Sequence, residues 1–307
     1  MKGRNRGAEP KDDLVFSPMF SLVIPTRNRA DILVEVLTYL ETLSYPRSKF
    51  EVLVINDGST DETAEKLSKV EVGYRLRLFH QQPQGTSAAR NLGIKEAQGT
   101  HVLFIDDDVF PAPDLLEQHE EAHRGHLSRL VRGPVINIPT LPLPSEPPTL
   151  LYHYSQNYLC TSNASLRRSL LLDAGLFDVN FPRWEDAELG VRLKKLGVSR
   201  HFVISGYVFH LKPKIPAETL IEIAKRDGES AALLYQRYPS FRMKLRSGLH
   251  PVNYFKNGLL TMPPLRKAYE SYLKSKPSGP LAGLAKSLLA EREYLKSGRD
   301  TLKETKA

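Results

Sequence analysis

The sequence predicts an α/β protein built on a doubly wound, largely parallel sheet and followed by a helical extension. Three observations carry this. From residue 20 to residue 105, short apolar runs alternate with segments of helical periodicity about 10–15 residues long, the rhythm of βαβ units. The apolar runs end in turn-forming polar residues, as where Val102-Leu103-Phe104-Ile105 gives way to Asp106-Asp107-Asp108. Beyond residue 240 the strand pattern stops, and Lys and Arg alternate with aliphatic and aromatic residues.

Taken in order, the expected elements are a strand at 20–24, a helix at 30–43, a strand at 51–55, a helix at 60–70, a strand at 75–80, a helix at 87–97 and a strand at 101–105. Ser59 stands three residues before Glu62, the spacing of a capping box. Asp61 and Glu62 suit the positive end of the helix that follows. After a helix at 115–124 the pattern loosens. A strand is expected over 131–138. Pro139, Pro142, Pro144, Pro147 and Pro148 then argue against helix or central strand, so 139–150 reads as a loop over the sheet. A short strand near 159–165, helices at 167–174 and near 185–196, a strand at 202–210 and a helix at 217–238 complete the reading. The domains expected are a polar, flexible tail at 1–18, an α/β domain at 19–240 and a basic, mostly helical extension at 241–307.

At 307 residues, 41% apolar and 25% charged, the chain can bury a sizeable core. No run approaches the roughly 18 apolar residues of a membrane-spanning helix, and the start is polar rather than an apolar signal core, so a cytoplasmic protein is expected. The single cysteine, Cys160, excludes an internal disulfide and fits a reducing compartment. The net charge of +8 is unevenly placed: residues 241–307 hold 14 Lys/Arg against 5 Asp/Glu, a net +9, leaving −1 for residues 1–240. Nucleic-acid binding through the basic tail is the weakest reading, because the body of the chain is near neutral. Two readings of the tail stay open, an interfacial segment on anionic lipid at the inner face of the membrane and a helical appendage with a solvated basic face.

Three adjacent carboxylates repel one another in any partly dry site and call for a positive partner, for which a divalent cation is the natural candidate. The triplet shares its position at a strand end with Pro25-Thr26-Arg27-Asn28-Arg29, Asn56-Asp57-Gly58-Ser59 and His210. In open α/β sheets ligands bind beyond the carboxyl ends of the strands, so these sites are expected to meet in one cleft.

In this company the sequence resembles glycosyltransferase family 2, the inverting sugar-nucleotide transferases of GT-A fold. The resemblance rests on residues 21–29, 54–61, 85–91, 104–114, 162–168 and Trp184-Glu185-Asp186-Ala187-Glu188-Leu189-Gly190, in the family's order over about residues 20–212. It implies a Rossmann-like, doubly wound mixed sheet and a metal-dependent inverting transfer. A sugar would pass from a nucleotide-diphosphate donor, UDP-linked in the first expectation, to a hydroxyl of a saccharide or lipid-linked acceptor in cell-envelope polysaccharide synthesis.

The resemblance also implies roles. Pro25, Thr26 and Arg27 would shape the base pocket, Asp57 would accept a hydrogen bond from the nucleobase, and Arg90 would contact the nucleotide. Asp106 and Asp108 form the DxD-like pair, with Asp108 on the metal and Asp106 on the ribose or a metal-bound water. Alternation along an extended segment points Asp107 elsewhere, although a share in one of these roles stays open for it. His210 would be a further ligand of Mn²⁺ or Mg²⁺, an imidazole tilting the choice to Mn²⁺. Asp186 would be the general base. Asn163, Trp184 and Glu185 would lie on the acceptor side, Trp184 against a sugar face or, alternatively, in the core. Two other functions fit much of the same pattern. A polyprenyl-phosphate sugar synthase uses an anionic acceptor that needs no base. A nucleotide-sugar-binding protein without catalysis would keep the donor site alone.

Overall fold

The computed structural model describes residues 19–147, 158–213 and 215–304. The expected tail at 1–18 and the end of the expected loop, 148–150, lie outside them.

The first half is built as the periodicity predicts: β1 (Phe20–Thr26), α1 (Ala30–Tyr39), β2 (Phe50–Asp57), α2 (Thr63–Ser68), β3 (Arg75–Gln81), α3 (Thr86–Glu96) and β4 (His101–Phe104). Strands β1, β2 and β4 are buried at every position, because helices cover both faces of the sheet. Edge strand β3 is exposed or half-buried throughout. The chain continues through β5 (Val109–Pro111), α4 (Leu115–His123), β6 (Arg129–Arg132), β7 (Val135–Ile138), β8 (Ala164–Arg167), α5 (Arg168–Asp173), α6 (Glu185–Lys195), β9 (Ser199–Phe202) and β10 (Val208–Leu211). Helices α7 (Ala217–Arg237), α8 (Phe241–Arg246), α9 (Pro251–Leu260), α10 (Pro263–Ser275) and α11 (Pro280–Glu304) follow.

Seven strands form a mixed sheet in the order β3-β2-β1-β4-β8-β6-β9, in which β8 runs antiparallel to both its neighbours and the other pairs are parallel. A second sheet, β5-β10-β7, stands beside it. Two hydrophobic layers fill the faces of the large sheet. One centres on Leu22, Ile24, Leu33 and Leu103, the other on Val23, Leu53, Phe104 and Leu166.

Three sequence expectations change here. The strands expected over 131–138 and 202–210 are each two strands, and in each case the second half crosses to the small sheet. The break at Gly133-Pro134 packs against the break at Gly206 so closely that a Cβ on Gly133 would lie 1.7 Å from the Gly206 carbonyl oxygen. The capping box is not used either. Helix α2 begins at Thr63, whose N–H and hydroxyl both donate to the Asp61 carboxylate, while the Ser59 hydroxyl accepts from the Asn28 N–H.

The C-terminal helices form their own layer. Helix α11 lies along α7, with Ala231, Ala232, Leu249 and Leu295 buried between them. A Cβ on Gly228 would stand 2.1 Å from the Tyr294 carbonyl oxygen, so the glycine permits the two backbones to approach. The sequence-based boundary at 240/241 thus falls inside this layer, which starts with α7.

Candidate active site

Parallel strands β1, β2 and β4 end on one edge of the sheet, and the turns beyond them supply the walls of an open cleft of about 560 Å³. Pro25, Thr26, Arg27, Asp57, Arg90, all three aspartates of the triplet, Glu185 and His210 line it. The strand-end residues expected to meet in one cleft therefore do so, but several of them are held otherwise than expected.

Asp57 accepts from the Gln84 N–H at 2.8 Å, the Gly85 N–H at 2.8 Å and the Gln81 side chain at 2.7 Å. Gly85 takes the left-handed φ of 90° that turns the chain into α3. The carboxylate thereby anchors the loop opening α3 and keeps part of its acceptor capacity towards the cleft, since an ionised carboxylate has about four acceptor sites.

The triplet does not alternate as a strand would, because β4 ends at Phe104 and residues 107–108 form a turn. This corrects the expected direction of Asp107, which faces the same cleft and accepts from the Thr26 hydroxyl at 2.7 Å. Burial pushes its carboxyl up to about 6 against the opposing pull of Arg29. Asp106 accepts from Arg90 at 2.9 Å and from the Ser162 hydroxyl at 2.6 Å. Asp108 accepts from Arg29 at 2.6 Å and lies 3.2 Å from His210 Nε2. Burial opposes ionisation of Asp108, but the hydrogen bond to His210 and the charge on Arg29 hold it below the usual carboxylate range.

The small sheet explains why His210 arrives here. Strand β10 pairs antiparallel with β5, placing His210 opposite Val109, and the Leu211 N–H donates to the Asp108 carbonyl at 2.9 Å. One carboxylate oxygen and one imidazole nitrogen thus converge, a donor set suited to Mn²⁺ or Mg²⁺. Among the described residues no group of three potential ligand side chains gathers.

Arg90 was expected to meet the nucleotide. Its guanidinium lines the cleft and forks between Asp106 and Glu185, at 2.9 and 2.7 Å, over the Phe177 ring. Asn163 is a plain correction: it is fully buried, and its amide donates to the Pro134 and Gly206 carbonyl oxygens, where it ties together the two strand breaks. It does not line the cleft.

Asp186 stands in the first turn of α6, where the helix dipole favours a negative charge. Burial first, and the neighbouring Glu185 charge second, push its carboxyl up to about 6. It lies between two cavities. One is a polar cavity shared with Gly85, Thr86, Arg183 and Glu185. The other, of about 240 Å³ and half apolar, is enclosed by α6, α7 and α8. Trp184 precedes it in the left-handed region, at φ 62°, a conformation disfavoured for any side chain with a Cβ. The indole N–H donates to Asp227 at 3.1 Å and the ring faces Tyr294 of α11 at 6.3 Å, so Trp184 also joins the core of the helical layer.

Three participants carried no assigned role in the sequence reading. Arg29 neutralises Asp107 and Asp108, Ser162 holds Asp106, and Arg183 lines the cleft while pairing with Asp227 at 2.5 Å. The signal for Arg29 was the triplet itself, whose charges need a nearby cation.

The mixed sheet, the acid-lined edge and the helical C-terminal layer define the class as a GT-A fold protein. Residues 21–169, just under half of the chain, match the family model "Glycosyl transferase family 2". Among curated relatives the chain is 36% identical over 120 residues to the glycosyltransferase AglE of Haloferax volcanii, covering 38% of this chain and 40% of that one. It is 34% identical over 93 residues to the poly(ribitol-phosphate) beta-N-acetylglucosaminyltransferase TarS of Staphylococcus aureus, covering 30% and 16%. The aligned stretches thus span well under half the length of these relatives. The mannosyltransferase PcManGT from Pyrobaculum calidifontis, solved with GDP-Man and Mn²⁺, superposes with a TM-score of 0.65 at 17% identity, covering 95% of this chain and 89% of that one. The S. aureus TarS fragment 1–349 with UDP superposes with a TM-score of 0.53 at 18% identity, covering 94% and 91%.

Proposed function

We propose that this protein is a metal-dependent inverting glycosyltransferase, moving a sugar from a nucleoside-diphosphate donor, UDP-linked by preference, to a hydroxyl of a saccharide or lipid-linked acceptor. The observation that carries the reading is the position of Asp186. A carboxyl raised to about 6 sits between the donor-side cavity and a second cavity walled by other helices. A general base works best with a pKa near the working pH and within reach of both reacting partners.

In this reading the residues divide the work. The loop anchored by Asp57 and the Pro25-Thr26-Arg27 turn receive the nucleotide. Asp108 and His210 would hold the cation, which when bound supplies charge neutralisation for the departing diphosphate. Arg90 fixes Asp106 and Glu185 relative to one another and so sets the floor on which the sugar rests. Asp186 takes the acceptor proton. The mannosyltransferase neighbour's Mn²⁺ and the nucleotide-bound neighbours support a divalent cation and a nucleotide-sugar donor.

A second reading is favoured by Lys194 and Arg246, which line the half-apolar cavity that reaches Asp186. Two cations there suit a phosphate acceptor, as in a polyprenyl-phosphate sugar synthase, and such an anion needs no base. Calorimetric titration with UDP and GDP, in Mn²⁺, Mg²⁺ and EDTA, on the native chain and on Asp108→Ala, tests the donor site. Metal-dependent binding of one nucleotide that the substitution abolishes supports transfer, and absence of binding under every condition removes it.

A further inference from the structure

Helices α8, α9 and α10 carry a surface that the transfer chemistry does not use. Between residues 241 and 269 the chain has six Lys/Arg (Arg242, Lys244, Arg246, Lys256, Arg266 and Lys267) and no Asp or Glu. The same helices expose large apolar side chains: Phe241 at 70%, Phe255 at 76%, Val252 at 61% and Leu259 at 54%. Val252, Phe255 and Leu259 fall at i, i+3 and i+7, one face of α9. The Phe241 ring meets His250, the residue before α9, at 6.5 Å, so the exposed positions of α8 and α9 adjoin.

We infer that this surface docks on an anionic lipid bilayer, lying in its headgroup region with Phe241, Val252, Phe255 and Leu259 entering the apolar boundary and Arg242, Lys244 and Lys267 meeting lipid charges, while Lys256 pairs with Glu291, Arg266 pairs with Glu270 and Arg246 lines the cavity beneath. Cationic and apolar side chains are neighbours along the chain at Phe241-Arg242, Lys244-Leu245, Phe255-Lys256 and Leu265-Arg266. This is the pattern of a helix at a membrane interface, where apolar anchoring and attraction to anionic headgroups add. Charge decides against self-association. A two-fold contact would set this cationic surface against its own copy, whereas an anionic bilayer brings the opposite sign. None of the described helices is long and apolar enough to cross a membrane, so the contact would be peripheral. Helix α8 also has an inner face: Met243, Arg246 and Ser247 line the cavity that reaches Asp186. Docking would therefore seat the bilayer one helix away from that cavity, about 10 Å. The inference stands whether or not Asp186 acts as a base.

The test is co-sedimentation of the full chain with vesicles of phosphatidylglycerol and phosphatidylcholine, against vesicles of phosphatidylcholine alone. The expected result is binding to the anionic vesicles only. Phe241→Ser with Phe255→Ser and Leu259→Ser, and separately Arg242→Glu with Lys244→Glu, should each weaken it at least tenfold. Thermal melting and UDP binding of the variants should match the native chain, because the replaced side chains lie on the surface. No sedimentation with anionic vesicles at low salt overturns the inference, as does binding indifferent to the apolar triple substitution. Light scattering that shows a dimer dissolved by the same substitutions, without vesicle binding, assigns the surface to a second copy and overturns it equally.

Discussion

Arg90 and Glu185 join helix α3 to helix α6 through a 2.7 Å ion pair at the floor of the cleft. The same guanidinium holds Asp106 at 2.9 Å, so the aspartate beyond β4 and the helix carrying Asp186 share one cation. Removing a partner from a wholly buried pair costs about 3–5 kcal/mol. Because Asp106 and Glu185 retain some solvent contact, Arg90→Met should cost less, roughly 2–3 kcal/mol in urea unfolding.

Arg90 and Glu185 also act on Asp186 with opposite signs. The Glu185 charge raises the Asp186 carboxyl and the Arg90 charge lowers it. If Asp186 is the base, transfer should rise as pH passes through about 6 and then level off. Glu185→Gln should move that limb to lower pH and Arg90→Met to higher pH. Asp107 titrates in the same range, so Asp107→Asn serves as the control that should leave the limb in place. A pH profile of kcat on each variant checks the assignment.

Asp186→Asn should leave nucleotide affinity within a factor of two or so, and lower turnover on a hydroxyl acceptor by about 10²–10⁴-fold, the usual worth of a general base. Parallel measurement of UDP binding and UDP release from the donor separates the two effects. Turnover that survives the substitution would point to an acceptor that is already an anion.

Asp108→Ala and His210→Ala should each weaken metal-dependent nucleotide binding by about 100-fold or more, beyond the roughly 10–100-fold cost of losing an outer-shell partner. EDTA should do the same to the native chain. Calorimetry with Mn²⁺ held constant reads all three.

Acid should unfold this protein early, for a reason remote from the cleft. His101, His119 and His123 are buried together, His119 and His123 each 2.7 Å from the Ser165 hydroxyl, with the His101 and His123 rings 4.2 Å apart. Burial lowers the three, to about 4, about 4 and about 2 respectively. Their ordinary value is about 6.5, so below it the unfolded chain binds protons that the folded chain refuses. Stability is therefore full above pH 6.5 and is lost as pH falls towards 4, each histidine contributing up to about 1.4 kcal/mol per pH unit. Urea midpoints between pH 7.5 and 5 should show this slope, and a flat profile would contradict it.

Gly228→Ala should destabilise the protein, although Gly to Ala inside an exposed helix normally stabilises by up to about 1 kcal/mol. The new methyl would meet the Tyr294 backbone at 2.1 Å and force α7 from α11, at a cost of about 1–3 kcal/mol. A thermal melt decides the sign.

The sheet was legible in the sequence wherever burial was two-sided. Strands β1, β2 and β4 could be written from apolar runs alone, and their shared edge followed from their parallel order. What escaped were features set by contact between distant segments. Gly133 and Gly206 pack their backbones together, and although Gly133-Pro134 and Ser205-Gly206 are ordinary turn signals, nothing in either run announces that the chain leaves one sheet for the other there. The Asp107 direction depended on where β4 ended, a matter of one or two residues. Asn163 lay within a segment that matches the family, yet its amide serves the two strand breaks rather than the cleft. The Arg90 ion pair was not legible either, since nothing local announces that Glu185, 95 positions away, arrives to meet it.

The backbone of Trp184 is held in its left-handed turn between the start of α6 and the helices α7 and α11, with Asp227 on the indole N–H and Tyr294 beside the ring. A gene truncated after residue 240 would delete Tyr294 and strip that cover from an indole already only partly buried, so the first casualty would be the orientation of Asp186. For anyone designing expression fragments or chimaeras with other transferases, the cut that looks natural from charge and composition is the one to avoid, and the helices from α7 to α11 should travel with the sheet as a single inheritance.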